Sequence, residues 1–268
     1  MYRIITLLQM VVQARWDTDS VFLTLPHIES HMIYLFSQLQ ASCVPELIHN
    51  LDGKYEKLAA VLRCELEEQE IEDVWSVLNR MPLLEARLTV QNQPIPRKSR
   101  RLADKDWIAA KTGSQVSINV NLRRLNRPGR EGTKVYAPKY PKPKDEGWLL
   151  VVGEVESREL LALKRVGSVL RGTKQSLVIS PTKPGRHIYT LYVMSDGYLG
   201  IDQQYDIPLQ VEGDEDSEIF YSDEEEMPEL RPVRGVEASV REQQDYNITA
   251  NHVTYSDWND DDNAASWE

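Results

Sequence analysis

The sequence lacks the features of a membrane-spanning or secreted protein. It contains no run of about 18 apolar residues, so it predicts no membrane-spanning helix. It has only two cysteines, Cys43 and Cys64, which lie in partly apolar helical patterns and are expected to be buried free thiols in a reducing compartment. The apolar stretch 1–12 invites comparison with a signal peptide. It contains Gln9 and no small-residue cleavage site, so no signal peptide is expected.

The sequence also lacks the motifs of common enzyme classes. No G-x-x-x-x-G-K-[ST] loop is present to cradle phosphates, and no Asp-Glu-x-His box is present to hold magnesium. A G-x-S-x-G nucleophile elbow is absent as well. His27 and His31 are predicted on one helix face with Glu29 between them, but a zincin needs its glutamate directly after the first histidine. We therefore expect two surface or interface histidines, no metal site, no cofactor and no catalysis by this chain.

Charge is distributed unevenly along the 268 residues, whose formal net charge is −11. Residues 213–268 hold 17 acidic and 3 basic residues, whereas residues 87–174 hold 20 basic and 8 acidic ones. An acidic C-terminal segment therefore masks a basic body. Because residues 213–268 also have low hydrophobicity and no periodic pattern, we predict a disordered acidic tail there.

The first 82 residues show helical periodicity. Within residues 1–24 one helix of about four turns is predicted. Its apolar stripe consists of Ile4, Leu8, Val11, Val12 and Trp16, with Ile5 alongside. Further helices are predicted from His27 to Leu39 and from Glu67 to Met81, where Pro82 ends the run.

Residues 44–62 have the shape of a helix-hairpin-helix, with a turn at Asp52-Gly53 and a second helix from Tyr55. The start of such a helix presents unpaired backbone N–H groups and the positive end of the helix dipole, which favour a phosphate. Gly53 and Lys54 are therefore candidate nucleic-acid or partner contacts. Hairpins that bind nucleic acid typically carry a second glycine in the turn. That glycine is missing here, so a purely structural hairpin is the favoured alternative.

From residue 83 the period of the pattern changes to two. Seven short runs rich in apolar, β-branched and aromatic residues are separated by Gly and Pro. Four of them alternate with polar residues, and the other three are short apolar or mixed runs. The predicted strands are 84–90, 116–122, 148–152, 159–166, 176–179, 188–194 and 205–211. Residues 91–114 are predicted as a loop, 123–134 as a basic turn and 136–144 as a proline-interrupted edge segment. The chain is therefore predicted to be α+β, with an antiparallel fibronectin/Ig-like β-sandwich over residues 83–212.

A belt of basic residues lies on the predicted loops and strand ends of this sandwich. Such a belt can neutralise phosphates without reading a nucleic-acid sequence. Its candidate contact residues are Arg97, Lys98, Arg100, Arg101, Arg123, Arg124, Arg127 and Arg130. Aromatic residues that could stack on bases are sparse nearby. Three alternatives stay open for the belt: a protein-docking surface, a nucleic-acid surface and a solvated face.

Three segments carry a resemblance to a known family. They are DEGWLLVVGEV from Asp145, ELLALKRVG from Glu159 and PGRHIYTLYVMSDGYLGIDQQYDI from Pro184. They are similar to the last β-domain of the Sec63 (Brl) unit, which follows the cassettes of large tandem DExH helicases. With the flanking helices the similarity spans roughly residues 1–212. It is strongest to the type that belongs to the activating signal cointegrator complex.

The resemblance implies a non-catalytic accessory module of an ATP-dependent 3′-to-5′ nucleic-acid helicase, a class associated with alkylated-DNA repair, transcriptional coactivation and rescue of stalled ribosomes. The implied partners are the parent's own helicase cassettes, other subunits of the complex and single-stranded nucleic acid, with no membrane. ATP and magnesium are then expected only in the cassettes, and the nucleus and cytoplasm are the expected location.

The resemblance also implies how the chain is divided. Residues 1–24 resemble the last helix of a helical bundle, so we expect a fragment that starts inside the bundle and leaves apolar surface on this helix exposed. Residues 25–82 then form a helix-hairpin-helix-like domain, 83–212 the sandwich and 213–268 the tail. Two alternatives remain at this stage: the Brl unit of a spliceosomal helicase, which docks splicing factors, and that of an endoplasmic-reticulum translocation protein.

Overall fold

A computed structural model describes residues 2–95, 106–126, 132–154 and 157–213. Within these ranges five α-helices come first: α1 (Tyr2–Gln13), α2 (Ile33–Gln38), α3 (Val44–Leu51), α4 (Tyr55–Leu62) and α5 (Glu68–Arg80). Nine strands follow: β1 (Leu84–Val90), β2 (Gln93–Pro94), β3 (Ile108–Lys111), β4 (Val116–Arg124), β5 (Trp148–Glu154), β6 (Glu159–Val166), β7 (Gly172–Ile179), β8 (Gly185–Ser195) and β9 (Gln203–Glu212). The α+β class is confirmed. The predicted acidic tail lies outside the described residues.

The strands form two sheets. One has the order β2-β1-β4-β7 and the other the order β3-β9-β8-β5-β6. Neighbouring strands are antiparallel except β3 and β9, which run parallel. The predicted antiparallel arrangement therefore holds for every described strand pair except this one, which was missed because β3 lies in the range 91–114 that the sequence pattern assigns to a loop. With only four residues, two of them alanine, β3 is too short for a period-two pattern to stand out.

Alternation along the strands places the apolar residues in one core. On β4, Val116, Ile118, Val120 and Leu122 are all buried, and Trp148 at the start of β5 is buried with them. Inward residues of both sheets belong to the same apolar cluster. Burying each of these side chains contributes about 1.5–3 kcal/mol to stability. The seven predicted strands overlap β1 and β4 to β9, so the alternating and apolar runs identified the strands that build the core.

Helix α5 shows why the later helices were predictable. Its apolar residues Ile71, Val74 and Leu78 recur at helical spacing and are buried. Glu67 and Glu70 form a capping box in which the backbone N–H of Glu67 donates to the Glu70 carboxylate at 3.0 Å. This cap satisfies backbone donors that would otherwise be unpaired at the helix start. The observed bounds differ from the predicted 67–81 by one residue at each end.

The helix predicted from His27 to Leu39 is much shorter in the structure. His27 has φ of 60°, and Glu29 is extended with ψ of 164°. A short 3-10 turn at Ser30–Met32 then leads into α2 at Ile33. The prediction is therefore wrong for its first turn, since a positive φ and an extended residue are incompatible with a continuous α-helix.

Helix α1 lies on the outer face of the five-stranded sheet. Ile5 packs on Val151 and Met194. Val151 points away from the main core, because its neighbours on β5, Leu150 and Val152, point into it. The helix therefore covers part of a sheet face that would otherwise meet solvent. Among the described residues, no helix has the length and hydropathy needed to cross a membrane.

The face that α1 buries differs from the predicted apolar stripe. Gln9 and Gln13 are buried together with Ile5 and Val12, whereas most of the predicted stripe is exposed. The reason is a set of buried acceptors. The Gln9 amide donates to the Ser195 carbonyl at 2.7 Å, and the Gln13 amide donates to the carbonyls of Gly197 at 2.6 Å and Tyr136 at 3.1 Å. An apolar count alone cannot find a polar interface of this kind.

Candidate partner and nucleic-acid interfaces

The predicted hairpin turn connects α3 to α4. Asp52 ends α3 in the left-handed region with φ of 52°, and Gly53 follows with φ of 66°. The backbone N–H of Lys54 donates to the Leu51 carbonyl at 2.9 Å, and α4 starts without a side-chain cap. The Lys54 ammonium lies 3.1 Å from the Asp52 carboxylate. The turn therefore offers one exposed cation, and an acid next to it partly neutralises that charge.

The surroundings of this turn are acidic. The carboxylates on α4, α5 and the segment between them are Glu56, Glu65, Glu67, Glu68, Glu70, Glu72 and Asp73. Tyr55, the first residue of α4, donates to Glu68 at 2.7 Å, which brings the start of α5 next to the turn. This hydrogen bond, and then the contact with Arg63, lower the pKa of Glu68. Ionised acids repel phosphate, so the electrostatics favour the structural alternative, and phosphate contact at Gly53 and Lys54 stays a prediction.

Most of the predicted basic belt lies outside the described residues. This applies to Arg97, Lys98, Arg100, Arg101, Arg127 and Arg130. The two described members, Arg123 and Arg124, are neighbours on β4 but point to opposite faces of the sheet. Arg123 is 60% exposed, and its Nε donates to Glu85 at 3.0 Å. It therefore lies on an outer surface, as a contact residue requires.

Arg124 is not a surface residue, and its assignment to the belt is corrected. Its side chain is fully buried, and a guanidinium nitrogen lies 2.7 Å from the Glu146 carboxylate, whose exposure is 2%. Burial raises the pKa of Glu146, and the hydrogen bond from Arg124 opposes that rise. The other amino nitrogen donates to the Arg80 carbonyl at 2.9 Å. Period two places position 124 on the inward face, where the guanidinium stabilises the C-terminal end of α5.

Asn126, two residues after the end of β4, also joins α5 to the four-stranded sheet. The Asn126 amide donates to the carbonyls of Asn79 at 2.9 Å and Met81 at 2.7 Å. Its carbonyl oxygen accepts from the backbone N–H of Leu83 at 3.0 Å. The carbonyl groups at the end of α5 thus accept hydrogen bonds from the side chains of Arg124, at the end of β4, and of Asn126, two residues later. Position 126 carries no motif, and the sequence pattern did not identify it.

The outward face of α1 is apolar and open. Ile4 is 66% exposed, Leu7 55%, Leu8 40% and Val11 61%. All four lie on the side opposite Ile5, Gln9 and Val12, as 3.6 residues per turn requires. Contiguous exposed apolar surface of this kind marks an interaction site.

The family model described as "Sec63 Brl domain" matches residues 1–208. The chain belongs to the Sec63 Brl domain family. The match covers the five helices and eight of the nine strands completely, which agrees with the extent of the predicted resemblance.

The similar proteins are all much longer than this Brl domain. Activating signal cointegrator 1 complex subunit 3 of Gallus gallus is 39% identical over 237 residues, which is 78% of this chain and 11% of the relative. The Homo sapiens protein of the same name is 36% identical over 237 residues, with the same two shares. The U5 small nuclear ribonucleoprotein 200 kDa helicase of Drosophila melanogaster is 32% identical over 212 residues, 79% of this chain and 9% of the relative. The chain thus spans about a tenth of their length.

One solved structure has a low similarity to this Brl domain. The CARDB domain of the PF1109 protein from Pyrococcus furiosus covers 50% of this chain and 97% of its own length, with a TM-score of 0.29 and 13% identity. This likeness is too low to add to the fold assignment.

The two histidines predicted to share a helix face contact different acids in the structure. His27 lies 2.9 Å from Asp73, and His31 lies 3.6 Å from Glu65, so the two histidines pair with different carboxylates. Because His27 precedes the helix, they do not share a helix face. In the described ranges, no three His, Cys, Asp or Glu side chains are placed to hold a metal ion.

Both cysteines of the Brl domain are free thiols, but the predicted burial is confirmed for Cys43 only and is wrong for Cys64. Cys43 is buried, and burial raises the pKa of its thiol to about 11. A thiol with this pKa is protonated at neutral pH and is a poor nucleophile. Cys64 is exposed and donates to the Val61 carbonyl.

Proposed function

We propose that this chain is a non-catalytic accessory and docking module of an ATP-dependent 3′-to-5′ nucleic-acid helicase of the activating signal cointegrator complex type. The observation that carries the proposal is the Sec63 Brl match over residues 1–208, together with relatives that are named as subunit 3 of that complex. The proposed work of the parent is alkylated-DNA repair, transcriptional coactivation and ribosome rescue, in the nucleus and cytoplasm. ATP and magnesium belong to the parent's helicase cassettes in this proposal.

The sandwich is proposed to be of the fibronectin/Ig type. Two features support this assignment. The strands divide into a four-stranded and a five-stranded sheet, and a tryptophan, Trp148, is buried on a central strand of one of them. We further propose the division into a bundle helix (1–24), a helix-hairpin-helix-like domain (25–82), the sandwich (83–212) and an acidic tail (213–268).

The docking role is proposed for the outward face of α1. Ile4, Leu7, Leu8 and Val11 form an apolar stripe along the whole helix, while the inward face is fixed to the sheet by Gln9 and Gln13. Each apolar side chain that becomes buried in an interface contributes up to about 1.5–3 kcal/mol before the cost of association is subtracted. Such a face fits the parent's own helicase region or another subunit.

The nucleic-acid role is proposed for Gly53, Lys54, Arg123 and the belt residues outside the described ranges. Its support is the excess of basic residues over 87–174 and the exposure of Arg123. Exposed cations of this kind make binding fall steeply as salt is added, because phosphate contacts release counterions. Labelled single-stranded RNA and DNA should therefore bind in low salt and dissociate in high salt, and no salt-dependent association contradicts this role.

The docking role is tested by capture on the purified helicase region of Gallus gallus activating signal cointegrator 1 complex subunit 3. The chain should be retained, and Leu7→Glu with Val11→Glu should abolish retention because two charges would enter an apolar interface. Leu170→Glu is the matched control, since Leu170 is 60% exposed away from α1. Equal retention of the unsubstituted chain, the double variant and the control variant contradicts the docking role, and so does no retention of the unsubstituted chain.

A splicing role is the second candidate. The observation in its favour is the 32% identity to the U5 200 kDa helicase of Drosophila melanogaster. The same capture experiment with the helicase region of that protein separates the two. Stronger retention there than on the cointegrator protein favours splicing.

A further inference from the structure

The outer face of the four-stranded sheet carries an ordered group of charges. We call it the outer basic face and define it by Arg87 on β1, Arg123 on β4 and Lys174 on β7, with Glu85 on β1 between the two arginines. Asn121 is paired with Arg87 on one side and with Lys174 on the other, so these three residues form one row across the sheet. Since neighbouring strands lie about 4.8 Å apart, the Cα atoms of Arg87 and Lys174 are about 10 Å apart.

Glu85 holds the two arginines in place. One of its carboxylate oxygens accepts from Arg87 Nε at 3.1 Å and from Arg87 Nη2 at 3.0 Å. The other oxygen accepts from Arg123 Nε at 3.0 Å. The Glu85 side chain is only 14% exposed, whereas those of Arg87 and Arg123 are 68% and 60% exposed. One carboxylate thus organises two guanidinium groups that still face solvent, which lowers the entropy cost of binding a further anion.

The other outward residues of these strands have short side chains, and all of them except Val178 are polar. They are Thr89 on β1, Ser117, Asn119 and Asn121 on β4, and Ser176 and Val178 on β7. None of them is aromatic, so the described part of this face offers no ring for a base to stack on. Single-strand binding proteins combine cations with such rings. Amides and hydroxyls beside two oriented guanidiniums suit a peptide backbone and carboxylates instead.

We propose that the outer basic face binds an extended acidic peptide segment of a partner protein, with carboxylates three residues apart. In an extended chain of the polyproline II type, residues three positions apart lie on the same side and about 9 Å apart along the chain axis, so such carboxylates match the roughly 10 Å between Arg87 and Lys174. Charge complementarity carries the choice, because the two arginines share the acid Glu85 and Lys174 adds a third exposed cation to this face. The proposal rests on the docking role proposed above and assigns to it a surface separate from α1.

The test uses the full chain and a fluorescent 15-residue peptide that has glutamate at every third position among serine and glycine. Binding is measured by anisotropy over a salt series. The triple variant Arg87→Gln, Arg123→Gln and Lys174→Gln should bind about tenfold more weakly or worse, since each exposed ion pair is individually modest. The matched control removes three positive charges outside the outer basic face, by Lys57→Gln, Lys139→Gln and Lys142→Gln. It should bind the peptide as tightly as the unsubstituted chain. A peptide with glutamine for glutamate should not bind.

The outcomes separate the alternatives. Equal loss in the triple variant and its control, or no peptide binding by the parent chain, overturns the proposal. If a 15-residue oligothymidylate binds more tightly than the peptide and loses its affinity in the triple variant alone, the face is a nucleic-acid surface and the peptide assignment is wrong. If the triple variant fails to fold, peptide binding is measured with the single variant Lys174→Glu, which should also bind more weakly than the unsubstituted chain. Failure here leaves retention through α1 unaffected, so the two proposals fail separately.

Discussion

Helices α1 and α5 both pack on the rest of the folded body, but they divide polar and apolar residues in opposite ways. Helix α5 buries Ile71, Val74 and Leu78 and presents acids to solvent, as a finished surface helix does. Helix α1 buries two glutamines and exposes Ile4, Leu7, Leu8 and Val11. A helix that is apolar on its open side has a second packing partner in its working state. The contrast supports the proposal that α1 carries a docking surface, whereas α5 belongs to the internal framework.

The largest expected effect on the free energy of unfolding is at Arg124, which joins the end of α5 to the four-stranded sheet. Arg124→Ala leaves the Glu146 carboxylate buried without its guanidinium partner, and such a loss costs about 3–5 kcal/mol. Arg123→Ala, one residue away and exposed, should cost no more than about 1 kcal/mol. Denaturant unfolding measures both. The double change Arg124→Met with Glu146→Leu should recover most of the loss, and equal effects of the two arginine variants contradict the buried junction.

The two helices should also respond differently to truncation of a leucine. Leu78→Ala on α5 removes a buried side chain and should lower the free energy of unfolding by about 2–5 kcal/mol. Leu7→Ala on α1 should change it by less than about 0.5 kcal/mol in the isolated chain, because Leu7 is half exposed. Chemical unfolding of the two variants side by side checks this. A large loss from Leu7→Ala means that its side chain already has a partner within the chain.

The polar contact beneath α1 predicts a dependence on pH. Burial raises the pKa of Asp202 to about 7, against the hydrogen bonds from Gln9 and the Ser195 N–H. An unfolded aspartate titrates near 3.9, so the protonated form favours the folded state. The stabilisation of the folded state by protonated Asp202 is complete below about pH 4 and is lost as the pH rises through about 7. The free energy of unfolding falls by no more than about 4 kcal/mol over this range. Unfolding of Asp202→Asn should be less pH-dependent over this range, while exposed Asp17→Asn should retain the parent's slope.

The smallest effect sharpens the role of Gln9. Gln9→Ala removes the donor to Ser195 and Asp202 and should cost about 1–2 kcal/mol, since buried acceptors lose a partner. Gln69→Ala on α5 is the control for the loss of an amide. Thermal unfolding compares them, and an equal, negligible effect of both changes means that the glutamines do not fix α1 to the sheet.

The sequence pattern predicted the strands and helices whose apolar residues recur at a regular spacing. It missed the features that depend on residues distant in the sequence. The alternating and apolar runs identified seven strands because most of these strands contribute several inward apolar residues, and α5 carried both a helical stripe and a cap. Strand β3 was missed because four residues hold no recognisable period, and its pairing with β9 is set by residues about a hundred positions away. Arg124 was placed on the surface because an arginine is usually exposed. Its burial depends on Glu146 and on the α5 carbonyls.

The most direct test of the account is hydrogen–deuterium exchange of the chain with and without the helicase region of Gallus gallus activating signal cointegrator 1 complex subunit 3. The account predicts that exchange of the α1 amides slows when the helicase region is added, that exchange of the α5 amides does not change, and that Leu7→Glu with Val11→Glu removes the protection of α1. Unchanged exchange across α1 at saturating helicase region, or protection of α5 in its place, contradicts the assignment of α1 as the docking helix.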